Sequence, residues 1–178
     1  MAEPKQVTFW RWFFGVGVKP AGYRRFLDYW LLFHMVVAVF LSIYVPVNLK
    51  DAANSVLLPL VGILVGLTFA WAGNAQALLQ TSEIHRLSEH HPGGYREYVY
   101  VYQTAILTVL LSAALWGLAG LGLFDLPCKM LCTAYSYESA KFMLFFVSSV
   151  SLRECWHVVM LAQLLLLAQR EIKKREDP

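Results

Sequence analysis

Arg153, Glu154 and His157 interrupt the otherwise apolar run from Phe142 to Leu167, and their types and spacing give the chain its clearest capacity for chemistry. A guanidinium binds anions, a carboxylate holds cations or protons, and an imidazole takes up and releases a proton near neutral pH. Arg153 and His157 are four residues apart and Ser149 lies four before Arg153, so a helix carries all three on one face. Glu154 stands three residues before His157, within reach of its ring. At about 1.5 Å per residue, Arg153 lies roughly 17 Å in from Phe142, near the middle of a hydrocarbon layer about 30 Å thick. A central Arg costs roughly 2.5–3.5 kcal/mol to insert, so it faces a bundle interior or a water-filled cavity and marks a functional path. Ser149, Arg153, Glu154 and His157 are therefore expected to form an ionisable site at membrane depth. The plainer alternative pairs Arg153 with Glu154 of a neighbouring copy and gives the set a structural role.

Hydrophobic residues make up 58% of the 178-residue chain, charged residues 15%, and the mean hydropathy is +0.50. A soluble domain carries roughly 25% charged residues, so the composition excludes an ordinary soluble enzyme and predicts an all-α polytopic membrane protein. Four transmembrane helices are expected. The first runs from about Tyr29 to Val45 before Pro46, and the second from near Ser55 to Leu79. The third covers about Val99 to Phe124 before Asp125 and Pro127. The fourth begins around Ser139 or Lys141 and continues past Leu167 into a basic tail. No helix breaker separates Gln80 from His91 before Pro92-Gly93-Gly94, which predicts that the second helix projects beyond the membrane. The chain then reads as a single four-helix membrane domain. Residues 1–25 form a cytoplasmic or interfacial segment, 80–97 a cytoplasmic helix extension and loop, and 170–178 a cytoplasmic tail.

Eleven Lys and Arg fall in the N-terminal segment, the 80–97 segment and the tail, against Lys50, Lys129 and Lys141 in the other loops. Both termini are thus expected in the cytoplasm, with no cleavable leader before the first span. Phe9, Trp10, Trp12, Phe13 and Phe14 around Arg11 predict a short amphipathic helix lying in the interface. Tyr95, Tyr98, Tyr100 and Tyr102 read as an aromatic belt. Gly62, Gly66, Ala70 and Asn74 recur every four residues as a small-residue stripe that lets another backbone approach, either within the protomer or between copies. A four-helix protomer is too small to enclose a wide conduit, so a pore requires a homo-oligomeric ring. His85, His90 and His91 with Glu83 and Glu89, and Cys128 with Cys132, match no established metal-ligand spacing. No metal or cofactor is expected.

The four-span layout, with Arg153-Glu-Cys-Trp-His157 in the last span, resembles the small membrane accessory proteins of type VI-B CRISPR loci, a divergent HEPN-like family. The resemblance implies an oligomeric pore in the bacterial inner membrane, lined or gated by Ser149, Arg153, Glu154 and His157. It further implies antiviral defence by depolarisation when a partner RNA-guided RNA nuclease, acting directly or indirectly, is activated. HEPN ribonucleases place a longer gap between Arg and His than the three residues separating Arg153 and His157. Arg86 and His91, with four between them, are the alternative HEPN-like pair. The alternatives are a membrane-bound HEPN ribonuclease, which would bind RNA directly, and a non-enzymatic scaffold for a defence partner.

Overall fold

The computed structural model describes residues 8–16, 21–82, 84, 94–124 and 134–176. Every regular element among them is helical: α1 (Phe9–Phe13), a 3-10 turn (Gly22–Phe26), α2 (Tyr29–Tyr44), α3 (Leu49–Leu79), α4 (Gly94–Gly120) and α5 (Ala134–Glu176).

Local chemistry sets each boundary. Asp28 caps α2 by accepting from the Leu31 N–H at 3.2 Å, and the chain turns extended at Val45 because the following Pro46 disfavours helical geometry there. Asn48 caps α3 through the N–H groups of Lys50 and Asp51, so the helix begins six residues before the expected start at Ser55. Pro59 would clash with the carbonyl four residues back in a regular helix. The turn over Ala53–Leu57 widens to π geometry just before it, and the helix runs on unbroken. α4 stops at Gly120, short of the expected Phe124. Gly122 takes φ 76°, a left-handed value open to glycine, while the Leu123 N–H bonds Leu118 and the Gly122 N–H bonds Ala119 in a Schellman closure.

The helical extension expected from Gln80 to His91 is interrupted at its start. α3 ends at Leu79, and the Gln80 N–H and Thr81 hydroxyl fold back onto the carbonyls of the last turn. Arg86 and His91, with the remaining histidines considered as metal ligands and the Cys128/Cys132 pair, lie outside the described residues.

α3, α4 and α5 pack mutually, whereas α2 leans chiefly on α5. Leu49, Val61, Trp116 and Leu144 anchor one half of the bundle. Ala75, Leu79, Tyr102, Val158 and Ala162 anchor the other. Tyr102 is fully buried there, so it belongs to the core rather than to a belt, and Tyr100 meets Phe9 edge-on and Trp12 at a tilt to dock α1. Trp12 is 7% exposed against 56% for Trp10, as a one-sided interfacial helix requires.

α3, α4 and α5 are long and apolar enough to cross a membrane; α2, at 16 residues, is a shorter apolar helix. α2 runs antiparallel along α5. Asp28 meets Arg153 at one end, His34 meets Ser149 along the way, and Val47 meets Tyr137 at the other. The rise from Tyr137 to Arg153 is about 24 Å, matching the length of α2. Arg153 is therefore level with the end of α2 and not partway along it. Beyond that level the N-terminal turn and α1 take the place of α2 against α4 and α5, with Trp12 and Gly22 beside Tyr98 and Leu161.

Candidate functional site

The i, i+4 spacing does place Ser149, Arg153 and His157 along one side of α5, but each finds a partner within the same chain. Arg153 lays a fork on Asp28, with Nη1 donating to Oδ1 at 3.1 Å and Nη2 to Oδ2 at 2.5 Å, and Nη2 also donates to the Arg25 carbonyl at 3.3 Å. This geometry is specific to a planar guanidinium. Adjacent residues on a helix diverge by about 100°, so Glu154 points away from Arg153 and into the bundle. It is fully buried and accepts from Arg25 Nη2 at 2.8 Å. Arg25 also donates to the Val101 carbonyl at 3.4 Å, joining the turn to α4. His157 Nδ1 stands 3.6 Å from the other Glu154 oxygen, too far for a hydrogen bond but close enough for an ion pair when protonated. Ser149 meets His34 of α2, Oγ to Nδ1, at 2.6 Å.

The pairing of Arg153 with Glu154 is thus replaced by two crossed pairs within the protomer, Arg153 with Asp28 and Glu154 with Arg25. Burial lowers the Arg25 basicity, the Glu154 carboxylate raises it, and the Arg153 charge lowers it further. Two cations and two anions cancel, which is the condition for holding charges at the edge of an apolar bundle. The balance leaves Glu154 Oε1, Arg153 Nε and His34 Nε2 buried with no hydrogen-bond partner.

Arg25, Asp28 and His34 are the members that the α5 pattern could not supply. His34 is the one histidine in the first apolar run, and Asp28 the last charge before it; those two signals would have flagged them. Their partners are more than 110 residues away, and no local spacing shows the pairing.

The small-residue stripe faces away from the bundle. Gly62, Gly66, Ala70 and Asn74 are all exposed, and a Cβ placed on Gly62 or Gly66 would meet nothing within 4 Å. The buried face of α3 is a different one, with Val61, Thr68, Ala72 and Ala75. Gly120, by contrast, is packed within the protomer, where a Cβ would stand 2.8 Å from Asn54 Oδ1.

Among the described residues, no group of three or more His, Cys, Asp or Glu could hold a metal ion. No family model, no curated protein and no solved structure matches the chain.

Proposed function

We propose that the protein is an oligomeric membrane conduit in which the paired ionisable cluster at the α2–α5 junction controls passage. The observation that carries this reading is the cluster itself. Four formal charges and two histidines are assembled from sequence-distant elements at the edge of a bundle whose outer surface is apolar, with Glu154 and His34 buried and Asp28 and His157 partly exposed. Intramembrane ionisable groups are expensive and usually mark ion or proton paths. The outward stripe of Gly62, Gly66, Ala70 and Asn74 supports assembly of copies, because it offers close backbone approach and an amide to bond across the contact.

In this reading α2 crosses the membrane as a short fourth span and both termini are cytoplasmic. The setting in bacterial antiviral defence, with depolarisation of the inner membrane when an RNA-guided RNA nuclease is activated, follows from the family resemblance alone. Arg153 has both terminal nitrogens committed to Asp28 and the Arg25 carbonyl, which favours a conduit over a HEPN ribonuclease that needs a free guanidinium in an aqueous cleft.

Purified protein reconstituted in liposomes tests the reading. Ion leakage without RNA cleavage is the expected result. Cleavage of labelled RNA by sealed vesicles that do not leak would replace the conduit with a nuclease, and the absence of both would leave a scaffold.

A further inference from the structure

Polar groups continue beyond the ion pairs, along the whole seam between α2 and α5. At the end of α2 remote from Asp28, a cavity of about 720 Å³ is bordered by Ser42, Glu138 and Lys141, the last nearly buried and 3.9 Å from Glu138. Further along, between α2, α3, α4 and α5, lies a second cavity of about 300 Å³ with otherwise apolar walls and four hydroxyls: Ser112, Ser148, Ser149 and Ser151. Ser149 then reaches His34, and beyond His34 come the crossed ion pairs. A third cavity of about 560 Å³, bordered by Arg24, Arg25 and Glu97, opens beside the Arg25–Glu154 pair.

Two of these groups are not explained by packing. Ser148 and Ser151 bond carbonyls of their own helix at 2.8 Å, as serines in membrane helices commonly do. Ser112 is 1% exposed and its hydroxyl has no partner, although it borders the second cavity. His34 is 6% exposed and uses only Nδ1. A buried polar group left unsatisfied costs roughly 1–3 kcal/mol. A cavity of this size has room for several waters at about 30 Å³ each, and of its four hydroxyls Ser112 is without a partner and Ser149 is shared with His34, whereas Ser148 and Ser151 are already bonded within the bundle.

We propose that the α2–α5 seam of each protomer is a proton path, in which His34 relays protons between the hydroxyl-lined cavity and the carboxylates Asp28 and Glu154. The proposal rests on the conduit reading and assigns it a permeant species and a route inside the protomer instead of at a ring centre. The His34 side chain is 6% exposed, which leaves no room there for a hydrated ion, whereas a proton crosses by exchanging hydrogen bonds. A proton bound at Nε2 and another passed from Nδ1 to the Ser149 oxygen leave the imidazole neutral. Ser149 in turn gives its own hydroxyl proton to cavity water, and ring rotation resets the tautomer. The charged or titratable groups around His34 are Arg153, Asp28, Glu154 and His157, and with His157 neutral one cation stands against two carboxylates. Arg25 on Glu154 completes the balance.

Zero-current potentials in planar bilayers under opposed proton and potassium chloride gradients test this. The potential is expected to follow the proton gradient. His34→Gln, which keeps a side-chain hydrogen bond to Ser149 but cannot relay, is expected to reduce proton current to that of empty bilayers, and Ser112→Ala to reduce it in part. A potential that follows potassium or chloride would overturn the seam while leaving the conduit. No current in the wild type would overturn both. Full proton current in both variants would remove His34 and the cavity from the route.

Discussion

The guanidinium of Arg153 forks onto both carboxylate oxygens of Asp28, a residue 125 positions earlier that also caps the first apolar helix. One carboxylate therefore fixes the start of α2 and its register against α5. The neighbouring Arg25–Glu154 pair ties the turn before α2 to the same helix and, through Val101, to α4. Charges that a sequence pattern assigns to a pore wall also serve as the joint that holds the N-terminal segment in place.

The two pairs should not be equivalent. Arg25→Ala leaves the fully buried Glu154 carboxylate with only His157 at 3.6 Å, and stranding a buried charge costs roughly 3–5 kcal/mol. Arg153→Ala strands Asp28, whose side chain keeps 35% exposure and can recruit water, so the loss should be about 1.5–3 kcal/mol, the range for hydrogen bonds to charged groups. Thermal unfolding in detergent is expected to rank Arg25→Ala below Arg153→Ala. The reverse order would show that Glu154 is not held by Arg25.

Removing both members of the inner pair gives the complementary result. Arg25→Met with Glu154→Met replaces two buried charges by apolar side chains of similar length, a change that is often neutral or stabilising. The double variant is expected to unfold at or above the wild-type temperature. If it unfolds like Arg25→Ala alone, the loss in the single variant arises from the Val101 contact or from packing of the Arg25 stem, and the ion pair is incidental.

The stripe on α3 and the glycine at the end of α4 separate assembly from folding. Gly66→Leu places its side chain where nothing lies within 4 Å, so the protomer should keep its helicity and unfolding temperature while native gels show loss of the oligomer. Leu64→Ala should disturb assembly less. Gly120→Leu drives atoms against Asn54 and Leu58 and breaks the close approach that the Asn54 bond to the Gly120 carbonyl requires, so it should destabilise the protomer. Unchanged migration of Gly66→Leu would mean that the exposed stripe faces lipid.

Apart from the stop of α3 at Leu79, which no helix breaker follows before Pro92, helical class and the positions of the apolar elements were readable in the sequence, because a run such as Tyr29–Tyr44 and its stop at Pro46 are local signals. The face shared by Ser149, Arg153 and His157 was readable for the same reason. The partners were not. Asp28 reads locally as a helix cap, which it is, and nothing within ten residues shows that it also receives Arg153. The start of α3 lies before the expected Ser55 because Asn48 caps a first turn that contains Lys50 and Asp51, polar residues outside the apolar run. Counting from Phe142 along one helix does not show that Arg153 lies level with the start of α2, a relation fixed by its bond to Asp28.

The number of crossings turns on α2, and the magnitudes favour a span. Its length of about 24 Å falls roughly 6 Å short of a 30 Å hydrocarbon layer, at fractions of a kcal/mol per Å, or about 1–3 kcal/mol in all. Nine Leu, Ile, Phe and Val side chains in Tyr29–Tyr44 return about 0.3–0.6 kcal/mol each, roughly 3–5 kcal/mol together. His34 subtracts from that total, and its bond to Ser149 limits the subtraction. Arg24 and Arg25, in the turn before Asp28, favour a cytoplasmic position for that end by the positive-inside rule. Reporters placed at the N-terminus, near Gly93 and after Pro178 are therefore expected to read cytoplasmic, all three. Three spans alone would leave Gly93 and Pro178 cytoplasmic but turn the N-terminus to the other side. An external N-terminus with the other two internal would show that α2 does not cross, and the seam along α5 would then open to one side only.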